Sequence, residues 1–395
     1  MAQDMKKSKP DLSKLSPATQ LVAGGREYSE HGFVNPAVYH ASTVLFPDAD
    51  VLHERKQKYV YGRRGTPTSR SLEDTIALLE GGHAAKVCPS GMSAISTTLL
   101  AFLKTGDHLL LTDSVYLPCR QFCDSLLKGL GVETTYYDPL IGAGIAQLIR
   151  PNTRVVYCES PGSQTMEVQD IPAIAEAAHK RGCIVITDNT WGAGHYFKAF
   201  EHGCDVSIQA ATKYLVGHSD AMMGSVTCNK ATWPQLRDAY ENLGQFAGPD
   251  DMYLTLRGIR TLDVRLDRHM KNATQVAEWL RGRPEVDTVL YPALGNAPGH
   301  GIWKRDFKGA SGLFSIILKP ISNEACKAFL NSLNLFGMGY SWGGFESLCV
   351  PFKPIRTASQ WTTAGACFRL HIGLEAPLDL IDDLAHGFKQ IKAHA

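Results

Sequence analysis

The sequence predicts an α/β fold: a large region built on a mainly parallel sheet, followed by a smaller α+β region. Three observations predict it. First, short runs that are apolar throughout recur between about Thr66 and Cys228: His108-Leu109-Leu110-Leu111-Thr112, Arg154-Val155-Val156-Tyr157-Cys158 and Cys183-Ile184-Val185-Ile186-Thr187. Strands covered on both faces read this way, as in a parallel sheet. Second, helical stretches separate these runs, such as Ile171 to Arg181, closed by Gly182, a glycine stop signal. Third, the pattern changes from about Gly258. Leu266, Met270, Ala273, Ala277 and Leu280 follow one helical stripe, and strand-like Gly312 to Leu318 and Phe368 to Ile372 come after it.

At 395 residues the chain is too long for one simple core, so two domains, or one large and one smaller, are expected. An apolar share of 44% is ordinary for a globular protein. The formal net charge of +1 argues against nucleic acid or an anionic membrane as the main partner. No apolar run approaches the roughly 18 residues that span a bilayer. Met1 to Ser16 is rich in Lys, Ser, Asp and Pro and has no apolar core, so it reads as a loose tail and not a secretory signal. The ten cysteines include no C-x-x-C pair. Cys119 and Cys123 are spaced to share a helix face, but no second pair matches them, so no metal site and no disulfide framework is read from them. Cys158 and Cys183 lie in apolar runs, where cysteine acts as a small hydrophobe, and a reducing cytoplasm fits best.

Ligands of open α/β sheets bind at the C-terminal strand ends. Thr112-Asp113, Glu159-Ser160 and Asp188-Asn189 fall at such ends. Lys213 follows Asp188 by 213 − 188 = 25 positions, within Gln209-Ala210-Ala211-Thr212-Lys213-Tyr214-Leu215-Val216-Gly217-His218-Ser219-Asp220. A lysine among small residues with an aspartate fixed nearby is what pyridoxal phosphate (PLP) requires. The amine makes the Schiff base, and the carboxylate keeps the ring nitrogen protonated so the ring can take up electrons. Burial beside a cationic ring lowers the lysine pKa and leaves the amine free to react. Taken singly, a lysine is usually a solvated charge and a strand-end aspartate usually caps the next helix. Ser90-Gly91-Met92-Ser93 precedes the apolar helix Ala94 to Leu103. Its backbone N–H groups point out at a helix N-terminus, a natural anion site where Gly91 permits close approach.

Five segments carry a resemblance: Tyr61-Gly62-Arg63-Arg64-Gly65-Thr66-Pro67-Thr68, Ser90-Gly91-Met92, Asp188-Asn189-Thr190-Trp191, Ala211-Thr212-Lys213-Tyr214 and Ser341-Trp342-Gly343-Gly344-Phe345-Glu346-Ser347. In this order, from about Thr19 to about Phe388, they resemble the Cys/Met-metabolism PLP enzymes. The resemblance implies the aspartate aminotransferase-like fold type I, divided into an N-terminal arm (1–62) contacting a neighbouring subunit, a PLP-binding large domain (63–258) and a C-terminal α+β domain (259–395). It implies Lys213 as the Schiff-base lysine, Asp188 at the pyridinium nitrogen, and Gly91, Met92 and Thr212 around the phosphate. Tyr61 and Arg63 would complete the phosphate cup of the neighbouring subunit. Relatives commonly have Ser-Ala-Thr-Lys where this chain has Ala210-Ala211-Thr212-Lys213, so one hydroxyl is absent. Tyr116 matches the tyrosine that stacks on the pyridine ring and lies near enough in relatives to act on protons. Arg369 matches the arginine whose planar fork holds the substrate α-carboxylate.

The residues around PLP decide which bond breaks. Relatives working at Cγ commonly have Glu just before the Ser-x-Gly-Gly segment. Here Tyr340 precedes Ser341-Trp342-Gly343-Gly344, and Tyr340 with Trp342 is the combination associated with β-lyases. The resemblance therefore implies a carbon–sulfur β-lyase of methionine biosynthesis, cleaving L-cystathionine to homocysteine, pyruvate and ammonia. Lys213 or Tyr116 takes the Cα proton, Arg369, Tyr340, Ser341 and Trp342 line the substrate site, and Arg64 meets the distal carboxylate. A cytoplasmic homotetramer with active sites shared between subunits goes with it. The alternatives are a γ-lyase, γ-synthase or broad cysteine desulfhydrase on the same scaffold, and a non-catalytic PLP-binding regulator. Arg369 argues against the last, since a pure binder needs no substrate clamp. A nicotinamide-dependent dehydrogenase is disfavoured because no G-x-G-x-x-G follows an early strand.

Overall fold

Seven strands form the larger sheet of the computed structural model, which describes residues 10–393. They are β1 (Ala84–Cys88), β2 (His108–Thr112), β3 (Glu133–Tyr137), β4 (Thr153–Glu159), β5 (Ile184–Asp188), β6 (Val206–Gln209) and β7 (Gly224–Cys228), in the spatial order β1-β7-β6-β5-β4-β2-β3. Strands β2 to β6 pair parallel, and β7 alone runs against both of its neighbours, β1 and β6.

Alternation of side chains explains why these strands are apolar throughout. Leu110, Val156, Cys158 and Val185 face one side and pack with Ile171, Ile174, Ala175 and Ala178 of the helix Ile171–His179. Leu109, Leu111, Val155, Tyr157 and Ile186 face the other side and meet Ala94, Ile95 and Leu99 of the helix Gly91–Phe102. Burial of each aliphatic side chain is worth about 1.5–3 kcal/mol. The intrinsic β-propensity scale spans only ~1 kcal/mol, so packing on both faces, not local preference, makes these segments strands.

Four more strands, β8 (Val286–Leu290), β9 (Leu313–Leu318), β10 (Leu348–Phe352) and β11 (Cys367–His371), form an antiparallel sheet in the order β10-β11-β9-β8. The expected striped helix is Leu262–Arg281, with Leu266, Ala273, Ala277 and Leu280 buried and Met270 half-buried. Ala277 and Leu280 share one apolar core with Phe314, Ile316 and Phe368 of the smaller sheet and with the helix Ile171–His179 of the larger one. That shared core fixes the two sheets against each other.

Part of the N-terminal tail departs from expectation. Residues 1–9 lie outside the described region, but Leu12–Lys14 is a 3-10 turn capped by the Asp11 side chain. The Gln20 amide holds the Leu12 and Leu15 carbonyls, so this stretch is tied down and not loose. All ten cysteines are free thiols. Among the described residues no helix is long and apolar enough to cross a membrane.

The polar strand ends Thr112, Glu159 and Asp188 all lie on the C-terminal edge of the larger sheet. Asp113, next after β2, fastens the loop between β10 and β11 over that edge. Its Oδ2 accepts the N–H groups of Thr357, Ala358 and Ser359, each at 2.9 Å, and its Oδ1 pairs with Arg120 at 2.6 Å. Burial pushes this carboxyl up, but Arg120 and the three N–H donors overcome it and hold the pKa down to about 2.

Replacing Asp113 with Ala strands the buried Arg120 and leaves three loop N–H groups unpaired. A loss of roughly 3–5 kcal/mol is expected in urea unfolding. Because the folded pKa lies below the ordinary 3.8, the ionised carboxylate stabilises fully above that value and its contribution fades as pH falls through about 2. The wild-type advantage over D113A should therefore shrink across that acid window and stay constant above it.

Candidate active site

Lys213 follows β6 in the loop at the C-terminal sheet edge. Its Nζ donates to Ser341 Oγ at 2.6 Å and lies 5.3 Å from the centre of the Trp342 ring. Burial foremost, then the charge of Arg369, lowers its pKa to about 8, with Asp188 opposing. Asp188 ends β5. Its Oδ1 accepts both the Thr190 N–H at 3.0 Å and the Thr190 hydroxyl at 2.5 Å. Its Oδ2 has no hydrogen-bond partner among the described residues, and the residue lines the cleft beside Trp191, Leu313 and Trp342. The aspartate thus shapes the turn with one oxygen and keeps the other available.

Two residues that the sequence reading gave no role complete this part of the site. Register places Glu159 opposite Asp188 on adjacent parallel strands, and matched polar strand ends were the available signal. Burial, then the neighbouring Asp188 charge, pushes the Glu159 carboxyl well above the usual carboxylate range. Its Oε2 accepts the Tyr116 N–H at 2.7 Å and so fixes the start of the helix Leu117–Phe122. Thr190 is the other. Its hydroxyl also accepts the Ala210 N–H at 2.9 Å, linking β5 to the loop of Lys213.

Tyr116 is 42% exposed, and burial, then Glu159 and Asp188, raise its hydroxyl pKa. Arg369 lies half-buried in the middle of β11, and its Nη2 donates to the Ser341 carbonyl at 3.2 Å. Among the described residues that is the guanidinium's one hydrogen bond. Ser341 therefore faces Lys213 with its hydroxyl and Arg369 with its carbonyl. Trp342 packs against Tyr214 with ring centres 5.5 Å apart, whereas Tyr340 projects into solvent, 93% exposed.

The helix Gly91–Phe102 starts at the same edge. Ser90 Oγ accepts the Ser93 N–H, and the Ser90 carbonyl accepts that of Ala94. The N–H groups of Gly91 and Met92 remain without partners among the described residues, as the first turn of a helix leaves them. A Cβ on Gly91 would come 2.6 Å from the Ala210 Cβ, so glycine is what lets the helix end approach the Lys213 loop. Thr212 departs from its expected use. Its hydroxyl donates to the Met223 carbonyl at 3.1 Å and accepts the Met223 N–H at 2.8 Å, because the loop pairs there with the residue leading into β7.

Tyr61, Arg63 and Arg64 stand apart from this constellation. Arg63 donates to the Glu241 carbonyl at 2.9 Å, Arg64 pairs with the Glu241 carboxylate at 3.2 Å, and Tyr61 is exposed. No hydrogen bond or ion pair among the described residues joins any of them to Lys213, Asp188 or Arg369. What converges instead is an amine of lowered pKa, a carboxylate with a free oxygen, a guanidinium with free donors and an open helix N-terminus. Such a set receives a carbonyl, a basic ring nitrogen, a carboxylate and an anionic group.

The sequence profile described as Cys/Met metabolism PLP-dependent enzyme matches residues 18–389. The chain is 49% identical over 375 residues to a putative cystathionine beta-lyase of Rhizobium johnstonii, covering 94% of this chain and 95% of that one. It is 46% identical over 387 residues to the cystathionine beta-lyase MetC of Escherichia coli, covering 94% and 98% respectively. The crystal structure of metB from Corynebacterium glutamicum matches the fold with a TM-score of 0.90 at 31% identity, covering 96% of this chain and 99% of that one.

In the ligand-free protein the Lys213 amine should react with an acylating reagent at a rate that rises with pH through about 8, since a pKa lowered from 10.5 leaves the amine neutral above that pH. Arg369→Gln removes a charge that opposes protonation, so it should move this midpoint upward. Peptide mapping of the modified lysine against pH checks both.

Proposed function

The chain belongs to the Cys/Met-metabolism PLP-dependent enzyme family, and on that premise we propose that it is a carbon–sulfur β-lyase cleaving L-cystathionine to homocysteine, pyruvate and ammonia in methionine biosynthesis. Its fold is the type I fold of PLP-dependent transferases, and PLP is its cofactor. The observation that carries the reading is the placement of Ser341, which joins Lys213 to Arg369 in a chain 46–49% identical to proteins named as cystathionine β-lyases.

The residues present fit PLP. The unpartnered Gly91 and Met92 N–H groups, in a cradle that a Cβ would fill, suit the phosphate, and the free Asp188 Oδ2 suits the ring nitrogen. With alanine at position 210 and the Thr212 hydroxyl engaged by Met223, phosphate binding by this chain falls chiefly to backbone donors. Tyr61 and Arg63 serve the neighbouring subunit's site. Bound PLP supplies an electron sink for the pair left at Cα.

The chain's own groups do the rest. Arg369 binds the α-carboxylate with its free donors. Lys213, with its pKa lowered to about 8, takes the Cα proton and later delivers it to the departing sulfur. Ser341 Oγ holds Nζ between those tasks. Tyr116, whose hydroxyl pKa is raised while that of Lys213 is lowered, keeps its proton, so the base is Lys213. As the Cβ–Sγ bond breaks, homocysteine leaves, and the three-carbon remainder hydrolyses to pyruvate and ammonia. Tyr340, where γ-acting relatives carry Glu, leaves no carboxylate at that position to assist at Cγ.

The oligomer is a cytoplasmic homotetramer of two site-sharing dimers, with residues 1–62 as the arm, 63–258 as the PLP domain and 259–395 as the C-terminal domain. Arg64 meets the distal carboxylate of a substrate bound next door. Support for the arm comes from its exposed apolar side chains, Phe33, Val34 and Leu45, and from the separation of Tyr61 and Arg63 from their own chain's Lys213.

PLP-loaded protein given L-cystathionine should release pyruvate and homocysteine. 2-Oxobutyrate and cysteine would instead mean γ-cleavage on the same scaffold, and Lys213→Ala should abolish either. Gly91→Ala, by pushing the helix end off Ala210, should weaken PLP binding roughly ten- to a hundredfold, the range of lost hydrogen bonds to a charged group. Titration of apoprotein with PLP, followed by visible absorbance, measures it.

A further inference from the structure

We propose that His371 is a positioning residue whose Nε2 accepts the Gly343 N–H, and so sets the turn that carries Ser341 against the Lys213 amine. The proposal rests on the roles of Lys213 and Ser341 given above. Arg369 and His371 are two apart on β11 and therefore share a face. Arg369 grips the turn at the Ser341 carbonyl, 3.2 Å away, and His371 grips it at the Gly343 N–H, 3.1 Å away. One strand face thus holds both ends of the turn.

The turn needs holding. Ser341 sits at φ 95°, a strained conformation for a residue with a side chain, kept only where the surroundings over-determine it. Gly343, at φ 84°, lies directly on the Lys213–Tyr214 peptide. A Cβ there would come 2.9 Å from both Lys213 C and Tyr214 N. Movement of the Gly343 N–H is consequently felt at the backbone of the lysine as well as at the Ser341 hydroxyl.

Acceptance of the Gly343 N–H assigns the tautomer. A backbone N–H can only donate, so Nε2 offers its lone pair and the ring proton sits on Nδ1. Nδ1 has no hydrogen-bond partner among the described residues, and the Gly344 carbonyl also lies 3.1 Å from Nε2. A proton on Nε2 would suit that carbonyl but would confront the Gly343 N–H. The ring is fully buried beside the rings of His269 and Tyr214, at 5.2 and 5.9 Å. Burial foremost, with His269, Arg369 and Lys213 adding repulsion and the Gly344 carbonyl opposing, holds its pKa well below the ordinary histidine value.

A packing role would depend on bulk and ring stacking, whereas the proposed role depends on an acceptor at one point. Three PLP-loaded variants separate the two. His371→Gln extends an amide oxygen toward the Nε2 position, His371→Asn ends short of it, and His371→Leu has no acceptor. The Gln variant should keep kcat close to wild type. The Asn and Leu variants should lose roughly ten- to a hundredfold in kcat, the range for an unpaired buried N–H, with KM changed less. The pH titration of the visible absorption band, which reports the lysine–cofactor linkage, should shift in the Asn and Leu variants and not in Gln. Wild-type behaviour in Asn, or an equal loss in Gln and Asn, overturns the proposal, and that pair decides it even if Leu fails to fold. If the wild type yields no pyruvate from L-cystathionine, the assigned reaction fails, while the spectral ordering still decides His371.

Discussion

A lysine amine serves as a base only in the fraction that is not an ammonium ion, and burial enlarges that fraction for Lys213 by lowering its pKa to about 8. Desolvation penalises the charged form, and the guanidinium of Arg369 adds repulsion. Both effects require Lys213 to sit inside the protein, at a point where two sheets meet. The shared core of the helix Ile171–His179, the helix Leu262–Arg281 and strands β9 and β11 brings the smaller sheet against the edge of the larger one. Without that core, the turn Tyr340–Gly344 and Arg369 would not reach the lysine, and the amine would stay solvated.

The parallel sheet contributes position through its direction. Because β2, β4, β5 and β6 run the same way, their ends gather Asp113, Glu159, Asp188 and the Lys213 loop on one edge, where helix N-termini also point. The two carboxyl groups so collected are driven apart in behaviour. Glu159 is pushed well above the usual carboxylate range by burial and Asp188, whereas burial also raises Asp188 but two donors from Thr190 and the charge of Lys213 oppose the rise. A proton held on Glu159 avoids placing two like charges in a buried cleft.

What the sequence reveals and what it hides divide along physical lines. Strands buried on both faces are legible because every residue must be apolar, and His108–Thr112 is read to the residue. Lys213 and Asp188 stand out by their spacing at strand ends and Arg369 by resemblance, and the fold brings Lys213 and Arg369 onto the same turn at Ser341. Interactions that depend on register or rotamer are not legible. Glu159 reaches Asp188 only through the pairing of β4 with β5, and the Thr212 hydroxyl turns to Met223 because the neighbouring backbone satisfies it twice. The grip of Asp113 on Thr357 spans 244 positions of chain, and no local pattern announces it. The loop of Tyr61 and Arg63 carries a recognisable motif, but among the described residues no hydrogen bond or ion pair joins it to Lys213, Asp188 or Arg369.

The link between Arg369 and Lys213 has a further consequence for the order of events. While Arg369 is unoccupied, its charge helps keep the lysine amine neutral. On the proposed mechanism, a substrate carboxylate bound to the guanidinium would cancel that charge, so the repulsion would disappear just when the lysine must accept a proton from Cα. Ser341 stands between the two, with its carbonyl on Arg369 and its hydroxyl on Lys213. The basicity of the amine therefore rises once the carboxylate is seated. A fixed low pKa would keep the amine available but make it a weak base. A fixed high one would leave it protonated and inert, so dependence on the substrate's own charge resolves the conflict between availability and strength.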